Sequence, residues 1–257
     1  YYAGQLLTGP YAFPTYAFDA TRVYTNKPCC GPKRGHGSVQ PRFGFEVQLD
    51  ELAEKIGLDP IELRRRNFIG EHVETVNGQT ITSNGFMQCL DRVEEASDWK
   101  ARYGQLPRGR GLGVAGSMYI SGTAYPIYPN EMPQSAVLVR IDRSGLVAVH
   151  CGASDIGQGS DSMLQYIAAE ELGAPLETIQ VFSSDTDLTP VDLGAYSSRG
   201  TFMNGTAAIE ACRKLRLQIE QTVAKKWDVP AKEVALAGGF AMHVKDTAQR
   251  MSIREAF

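Results

Sequence analysis

The sequence predicts a mixed α/β layer protein, on three observations. An amphipathic helical pattern opens at Phe43, and the stretches SAVLVRID and LVAVHCG flank a short turn as a β-hairpin would. Beyond them, helical and extended segments alternate up to a long Ala-rich run that begins at Asn204. The chain has 257 residues, 43% of them hydrophobic and 21% charged, enough for one large domain or two modest ones with their own cores.

Residues 1–41 are rich in Gly, Pro, Tyr and Thr without a helical period, so they read as loop and short strand, with TRVYTN a strand candidate. In FGFEVQLDELAEKIG, Phe45, Leu49, Leu52, Ala53 and Ile56 recur at helical steps, and Gly57 supplies a stop. Asp59, Pro60 and Glu62 then place a cap, a first-turn proline and an acid at the start of a second helix, IELRRRNF. Its run Arg64, Arg65 and Arg66 reads as a solvated face or a subunit contact. From about Ile69 to Gly109 the period is weak, although MQCLDRVEEASDW fits a helix, and PRGRG punctuates the end. The expected division is therefore 1–75 as one domain end, 76–108 as linker and 109–257 as the start of a second domain. In that second part SMLQYIAAEELG reads as a helix stopped by Gly173, ETIQVFSSD as a strand, and NGTAAIEACRKLRLQIEQTVAKKW as a helix. The closing SIREAF reads as a helix start capped by Ser252.

The net charge of −3 is spread along the chain, so no basic stripe favours nucleic acid or an anionic membrane. No apolar run approaches the roughly 18 residues of a membrane span, and the first residues lack the basic start of a secretory signal. The chain begins at Tyr1 and stops inside a helix start, so both ends read as cut. Five cysteines at unrelated spacings, Cys29, Cys30, Cys89, Cys151 and Cys212, do not form a disulfide framework, and no zinc pattern is present. Reduced thiols suit a cytoplasmic location. His72, His150 and His243 are isolated and read as structural or exposed.

Three glycine-bearing loops carry the chemistry. In PKRGHG, Gly35 and Gly37 allow close backbone approach beside the fixed charge of Arg34, which suits an oxo or anionic group; a tight surface turn with an exposed arginine fits the same residues. In SDIGQGSDS, Gly157, Gln158 and Gly159 precede a helix whose free N–H groups favour an anion, with Asp155 and Asp161 opposing a bare phosphate. A helix start capped by Ser160 or Ser162 is the other reading. The spacing is that of neither a Rossmann loop nor a P-loop. In GAYSSRGTFMNGT, Gly194, Ser197, Ser198, Arg199, Gly200 and Thr201 offer small donors and one cation ahead of a helix, against the alternative of a Ser-rich turn. Three such loops in one chain fit a long polar cofactor held at several points.

The run CCGPKRGHGSVQPRFGFEVQLDELAEKIGLDPIELRRRN resembles the segment of the xanthine dehydrogenase family in which an Arg-Gly-aromatic-Gly loop lies over molybdenum. CGASDIGQGSDSMLQYIAAEELG is similar to that family's Gly-Gln-Gly pterin loop, and AYSSRGTFMNGTAA to its next pterin-binding turn. The resemblance spans nearly the whole chain. It implies the aldehyde oxidase/xanthine dehydrogenase molybdopterin-binding fold, truncated at both ends. It also implies that Arg34 and Gly35 lie beside the metal, and that Gly157, Gln158, Gly159, Ser197, Ser198, Arg199, Gly200 and Thr201 hold a molybdopterin cytosine dinucleotide. No protein side chain is expected to ligate the metal, and Cys29 and Cys30 are read as packed thiols. His36 stands where the family's hydroxylases carry Phe or Tyr, and PKRGHG resembles the branch that removes the phenolic hydroxyl of 4-hydroxybenzoyl-CoA. On that resemblance His36 and Arg34 are the catalytic candidates, with His36 either assisting the substrate ring or filling an aromatic-sized gap. An aromatic acyl-CoA substrate, an iron-sulfur subunit, an FAD subunit and a dimer of such heterotrimers are implied. A same-family hydroxylase of an aromatic or N-heterocyclic substrate, and a non-catalytic cofactor-binding fragment, stay open. The family's glutamate base lies in a later Gly-Glu tract outside this sequence, so the piece alone is expected to be inactive.

Overall fold

The computed structural model describes residues 2–29, 31, 34–120 and 135–256. They fall into two compact units, residues 2–120 and residues 135–256.

The first unit opens with α1 (Tyr2–Leu7), where residues 1–41 were expected to be loop and strand. Leu6 is fully buried and Tyr2 nearly so, packed with Tyr119 and Ile120, so tertiary burial supplies what six residues of weak periodicity do not. TRVYTN is not a strand: residues 21–26 have no sheet partner. Helix α2 (Val39–Ile56) starts four residues before Phe43 and ends at Gly57, whose φ of 66° lets its own N–H and that of Leu58 reach the Glu54 and Ala53 carbonyls. Its inward face is only in part the predicted one, with Ala53 buried and Phe45 and Leu49 half-buried. Arg42, Glu46 and Ala53 are buried, whereas Leu52 and Ile56 are exposed.

The reason is an ion network. In α3 (Pro60–Arg66), Arg64 is fully buried, which corrects the solvated-face reading for that residue. It donates from Nε to Glu46 at 2.8 Å and pairs with Asp50 at 2.8 Å. Glu46 also accepts from the Tyr11 hydroxyl at 2.9 Å and from the Gly116 N–H at 3.0 Å, and Arg42 pairs with it at 3.5 Å. Arg65 and Arg66 stay at the surface, on Asp91 and Glu94 and on Glu62. The α3 start is as predicted, with Asp59 accepting from the Ile61 and Glu62 N–H groups. Its second oxygen takes the Trp99 indole N–H at 2.8 Å.

Residues 76–108, read as connecting chain, carry regular structure that belongs to the first unit. After a small hairpin of β1 (Val73–Glu74) and β2 (Thr80–Ile81) come α4 (Phe86–Ser97) and α5 (Trp99–Arg102). Leu90 and Trp99 bury against Ile61 and pack with Leu112 and Val114.

The second unit holds the predicted hairpin, β3 (Val137–Ile141) and β4 (Val147–Cys151), antiparallel with Val139 opposite Val149. Strand β5 (Ile179–Ser183) adds parallel to β4, and α6 (Ser160–Leu172) makes the crossover between them, as parallel pairing requires. All five residues of β4 are buried, since it is the middle strand. Helix α7 (Gly205–Trp227) packs on α6 through Ala208, Cys212, Leu215 and Ile219. A second sheet, unanticipated from the sequence, joins β6 (Val234–Ala237), β7 (Phe240–His243) and β8 (Arg250–Ser252). Gly238 and Gly239 make its first turn, both at positive φ. Helix α8 (Ile253–Ala256) follows, with Ser252 Oγ accepting from the Glu255 N–H as expected of its cap.

Burial sorts the thiols. Cys151 and Cys212 are buried and Cys29 and Cys89 exposed, which overturns the packed reading for Cys29; Cys30 lies outside the described residues. Burial pushes the Cys212 thiol up to about 12, helped by the charge of Glu171. Thiol-reactive reagent on the native protein is therefore expected to label Cys29 and Cys89 within minutes. Cys212 and Cys151 should label only in denaturant; peptide mass mapping checks this, and rapid native labelling of Cys212 would contradict the packing of α7 on α6.

Candidate functional site

In the first unit, the loop before α2 is set by glycine backbone. Gly35 and Gly37 have φ of 74° and 77°, and Arg34 also lies at positive φ with its side chain exposed. Ser38 donates from Oγ to the Gly35 carbonyl at 2.9 Å and closes the loop onto the helix. A Cβ on Gly37 would lie 2.3 Å from Tyr2 Cβ, so α1 packs directly on this glycine. The His36 ring stacks on Tyr2, with centroids 4.2 Å apart and planes 15° from parallel. Pro32 and Lys33 lie outside the described residues.

In the second unit, the loop between β4 and α6 is held largely by its own side chains. Asp155 Oδ1 accepts from Gly157 N–H at 2.8 Å and Gly159 N–H at 3.4 Å, and Oδ2 accepts from Asp161 N–H at 3.2 Å. These bonds hold the Asp155 carboxyl below the usual carboxylate range, the Gly157 amide contributing most. The helix start expected to offer free N–H groups is thus partly satisfied by Asp155, and neither Ser160 nor Ser162 caps it. Gln158 is also engaged: it accepts from Ile156 N–H at 2.6 Å and donates to the Ser154 carbonyl at 3.0 Å and Ser160 Oγ at 3.1 Å.

The turn before α7 places Ser197 and Ser198 both at φ 51° and continues into a π-helical turn, Gly200–Asn204. Non-glycine residues adopt that left-handed region at a cost of about 1–3 kcal/mol each, and such strain collects at binding sites. Arg199, expected to meet an anion, is instead fully buried. It pairs with Asp192 at 2.9 Å, both side chains 0% exposed, and donates to the Gly194 carbonyl at 3.1 Å and Ser135 Oγ at 2.8 Å. Asn204 donates to Asp192 Oδ2 at 3.2 Å and Cys151 Sγ at 3.0 Å. Asp192, Asn204 and Ser135 were not anticipated; the visible signal was a lone acid seven residues before the arginine. Nearby on β4, His150 is buried and stacked on Phe182 at 5.0 Å, and burial, then Arg140, lowers its proton affinity.

Four glycines test whether these loops suit a bound group. At Gly157, Gly159, Gly194 and Gly200 a Cβ would meet nothing within 4 Å. The first three have φ of 95°, 82° and 97°, which explains glycine by conformation. Gly200 has neither a positive φ nor a neighbour, a combination it shares with Gly31, Gly44, Gly111 and Gly113, so its backbone leaves open space for a bound group without requiring one. Residues 1–68 and residues 92–257 each match the molybdopterin cofactor-binding domain. The chain belongs to that family.

Relatives of this molybdopterin-binding chain are longer proteins. It is 32% identical over 244 residues to the xanthine dehydrogenase molybdenum-binding subunit of Escherichia coli O157:H7, covering 91% of this chain and 32% of that one. It is 26% identical over 259 residues to the nicotine 6-hydroxylase large subunit of Paenarthrobacter nicotinovorans, covering 96% of this chain and 32% of that one. Among solved structures, quinoline 2-oxidoreductase from Pseudomonas putida 86 superposes with a TM-score of 0.80 at 26% identity, over 99% of this chain and 34% of that one. The chain thus spans about a third of the length of these relatives, and the mixed helix-and-sheet fold expected from the sequence is theirs. Among the described residues, no helix is long and apolar enough to cross a membrane, and no group of three or more His, Cys, Asp or Glu is placed to hold a metal ion.

Proposed function

We propose that this chain is an internal part of the molybdenum-cofactor-binding catalytic subunit of a xanthine dehydrogenase-family oxidoreductase acting on an aromatic substrate. The observation that carries the reading is the match of residues 1–68 and residues 92–257 to the molybdopterin cofactor-binding domain, in which the backbone at Gly157, Gly159, Gly194 and Gly200 leaves open space. On this reading residues 1–75 end one cofactor-binding domain and residues 109–257 begin a second. Bound molybdenum would supply the two-electron chemistry, and the protein would position substrate and stabilise charge. Arg34 and Gly35 would face the metal's oxygens. The backbone of Gly157, Gly159, Ser197, Ser198, Gly200 and Thr201 would hold the pterin and a cytosine dinucleotide extension, with Gln158 and Arg199 fixing the shape of their loops. Iron-sulfur and FAD subunits, a dimer of such heterotrimers and a cytoplasmic location complete the proposal.

The substrate reading rests on His36. An imidazole beside a substrate ring can act as a proton donor to it, which suits reduction of 4-hydroxybenzoyl-CoA to benzoyl-CoA and water with two electrons and two protons. A second reading, hydroxylation of an N-heterocycle, is favoured by the likeness to the quinoline and nicotine enzymes. Assay of the complete complex with 4-hydroxybenzoyl-CoA and a strong donor, and separately with heteroaromatics and an acceptor, discriminates them. His36→Phe should keep the stack on Tyr2 and lower dehydroxylation at least about 100-fold. An unchanged rate removes His36 from the chemistry, and a complex without molybdenum and pterin removes the whole reading.

A further inference from the structure

The two glycine loops of the second unit share a buried base. Gly152 follows β4 directly and has no room for a side chain: a Cβ there would lie 2.2 Å from the Pro190 carbonyl oxygen and 3.0 Å from Asp192 Cβ. Asn204 spans the same junction, bonded to Cys151 on one side and Asp192 on the other, and its Oδ1 accepts from Ser135 Oγ at 3.1 Å. The remaining Asp192 oxygen takes Arg199 at 2.9 Å and the Gly194 N–H at 2.8 Å. Arg199, Asn204 and Cys151 are each 1% exposed or less. A buried ion pair of this kind adds little stability over well-packed apolar groups, because desolvation offsets attraction; its attested use is to select one geometry.

We propose that Asp192, Arg199 and Asn204 form a clamp that fixes loop 152–159 and turn 194–201 relative to each other, so that both engage one bound cofactor. The proposal rests on the reading of these loops as pterin-binding. The three are positioning residues. Arg199 sits directly after Ser197 and Ser198, so its anchors on Asp192, Gly194 and Ser135 help to hold that left-handed turn. Gly152 brings the second loop against the same anchor, and Asn204 ties the end of β4 to it.

The test uses the full-length subunit in its assembled complex. Asp192→Leu with Arg199→Met removes both charges together and leaves neither orphaned, Asn204→Leu cuts the tie to Cys151, and Gly152→Ala wedges the loops apart. Hydrogen exchange on cofactor-free protein and pterin content of the purified complex are read for each. Exchange should rise at least 10-fold in both 152–159 and 194–201, with β6, β7 and β8 unchanged, and retained pterin should fall at least 10-fold. Faster exchange in one stretch alone, or unchanged exchange in both, overturns the clamp. Should the double variant not accumulate folded, Asn204→Leu and Gly152→Ala decide on the same readouts, since both retain the two charged residues and strand neither by deleting its partner. A wild-type complex that carries no pterin refutes the functional reading, while exchange still decides whether the two loops move as one.

Discussion

Glu46→Ala is expected to destabilise the first unit by about 3–5 kcal/mol, because it strands buried charges rather than deleting one contact. Glu46 lies between Arg42 and Arg64, whose side chains are 6% and 0% exposed, and it accepts the Tyr11 hydroxyl and the Gly116 N–H as well. Alanine leaves the buried Arg42 without its counter-charge and Arg64 with Asp50 alone. Domains of this size are stable by only about 5–15 kcal/mol, so the loss is a large share of the total. Removing Glu46 together with Arg42, as Glu46→Leu with Arg42→Met, leaves Arg64 on Asp50 and should cost less than Glu46→Ala alone. Urea unfolding with hydrogen exchange over 39–66 measures both; a loss under about 1 kcal/mol for Glu46→Ala sinks the account. The network also sets a pH dependence. Burial first, then the Glu46 charge, keeps the Tyr11 hydroxyl protonated well above the ordinary tyrosine range. The folded state therefore keeps a proton that the unfolded chain releases near pH 10, so this stability is intact below about pH 10 and is lost as pH rises beyond it.

The second large effect is expected at Gly37. Alanine there meets two costs at once: a left-handed φ of 77°, worth about 1–3 kcal/mol, and a Cβ placed 2.3 Å from Tyr2 Cβ, where overpacking costs roughly 1–3 kcal/mol more. The contact is backbone-proximal, so no side-chain rotation relieves it, and α1 must move. Gly35→Ala makes a sharp comparison. Its φ of 74° carries the same conformational cost, but its Cβ would meet only Ser38 Oγ and Val39 Cγ2, each at 3.1 Å. Gly37→Ala should thus lower the melting temperature clearly more than Gly35→Ala and speed proteolysis of residues 2–40. Equal shifts would show that α1 does not bear on this loop.

Much of the second unit was legible because its signals are local. The apolar alternation of SAVLVRID and LVAVHCG, the stop at Gly173 and the long period from Gly205 each fix an element within a dozen residues. The Asp59 cap and the Gly57 stop were legible in the first unit for the same reason. Helix α1 and the β6, β7 and β8 sheet were not, since short segments gain their stability from burial against chain far away in sequence. The charged run at Arg64 misled for a related reason: sequence shows a charge but not the acid 18 residues earlier that accepts it.

Sequence by itself determined the mixed α/β class, the positions of the three glycine loops and, through their order, the likeness to molybdopterin cofactor-binding domains. It did so because helix stops, turns and hairpins depend on neighbours along the chain. Only the tertiary structure decided that α2 turns Arg42 and Glu46 inward, that Asp155 and Gln158 are spent within their own loop, and that Arg199 serves Asp192 rather than open solvent. Burial and charge pairing are properties of segments brought together in space, and a guanidinium has the same covalent structure whether it faces water or a buried carboxylate.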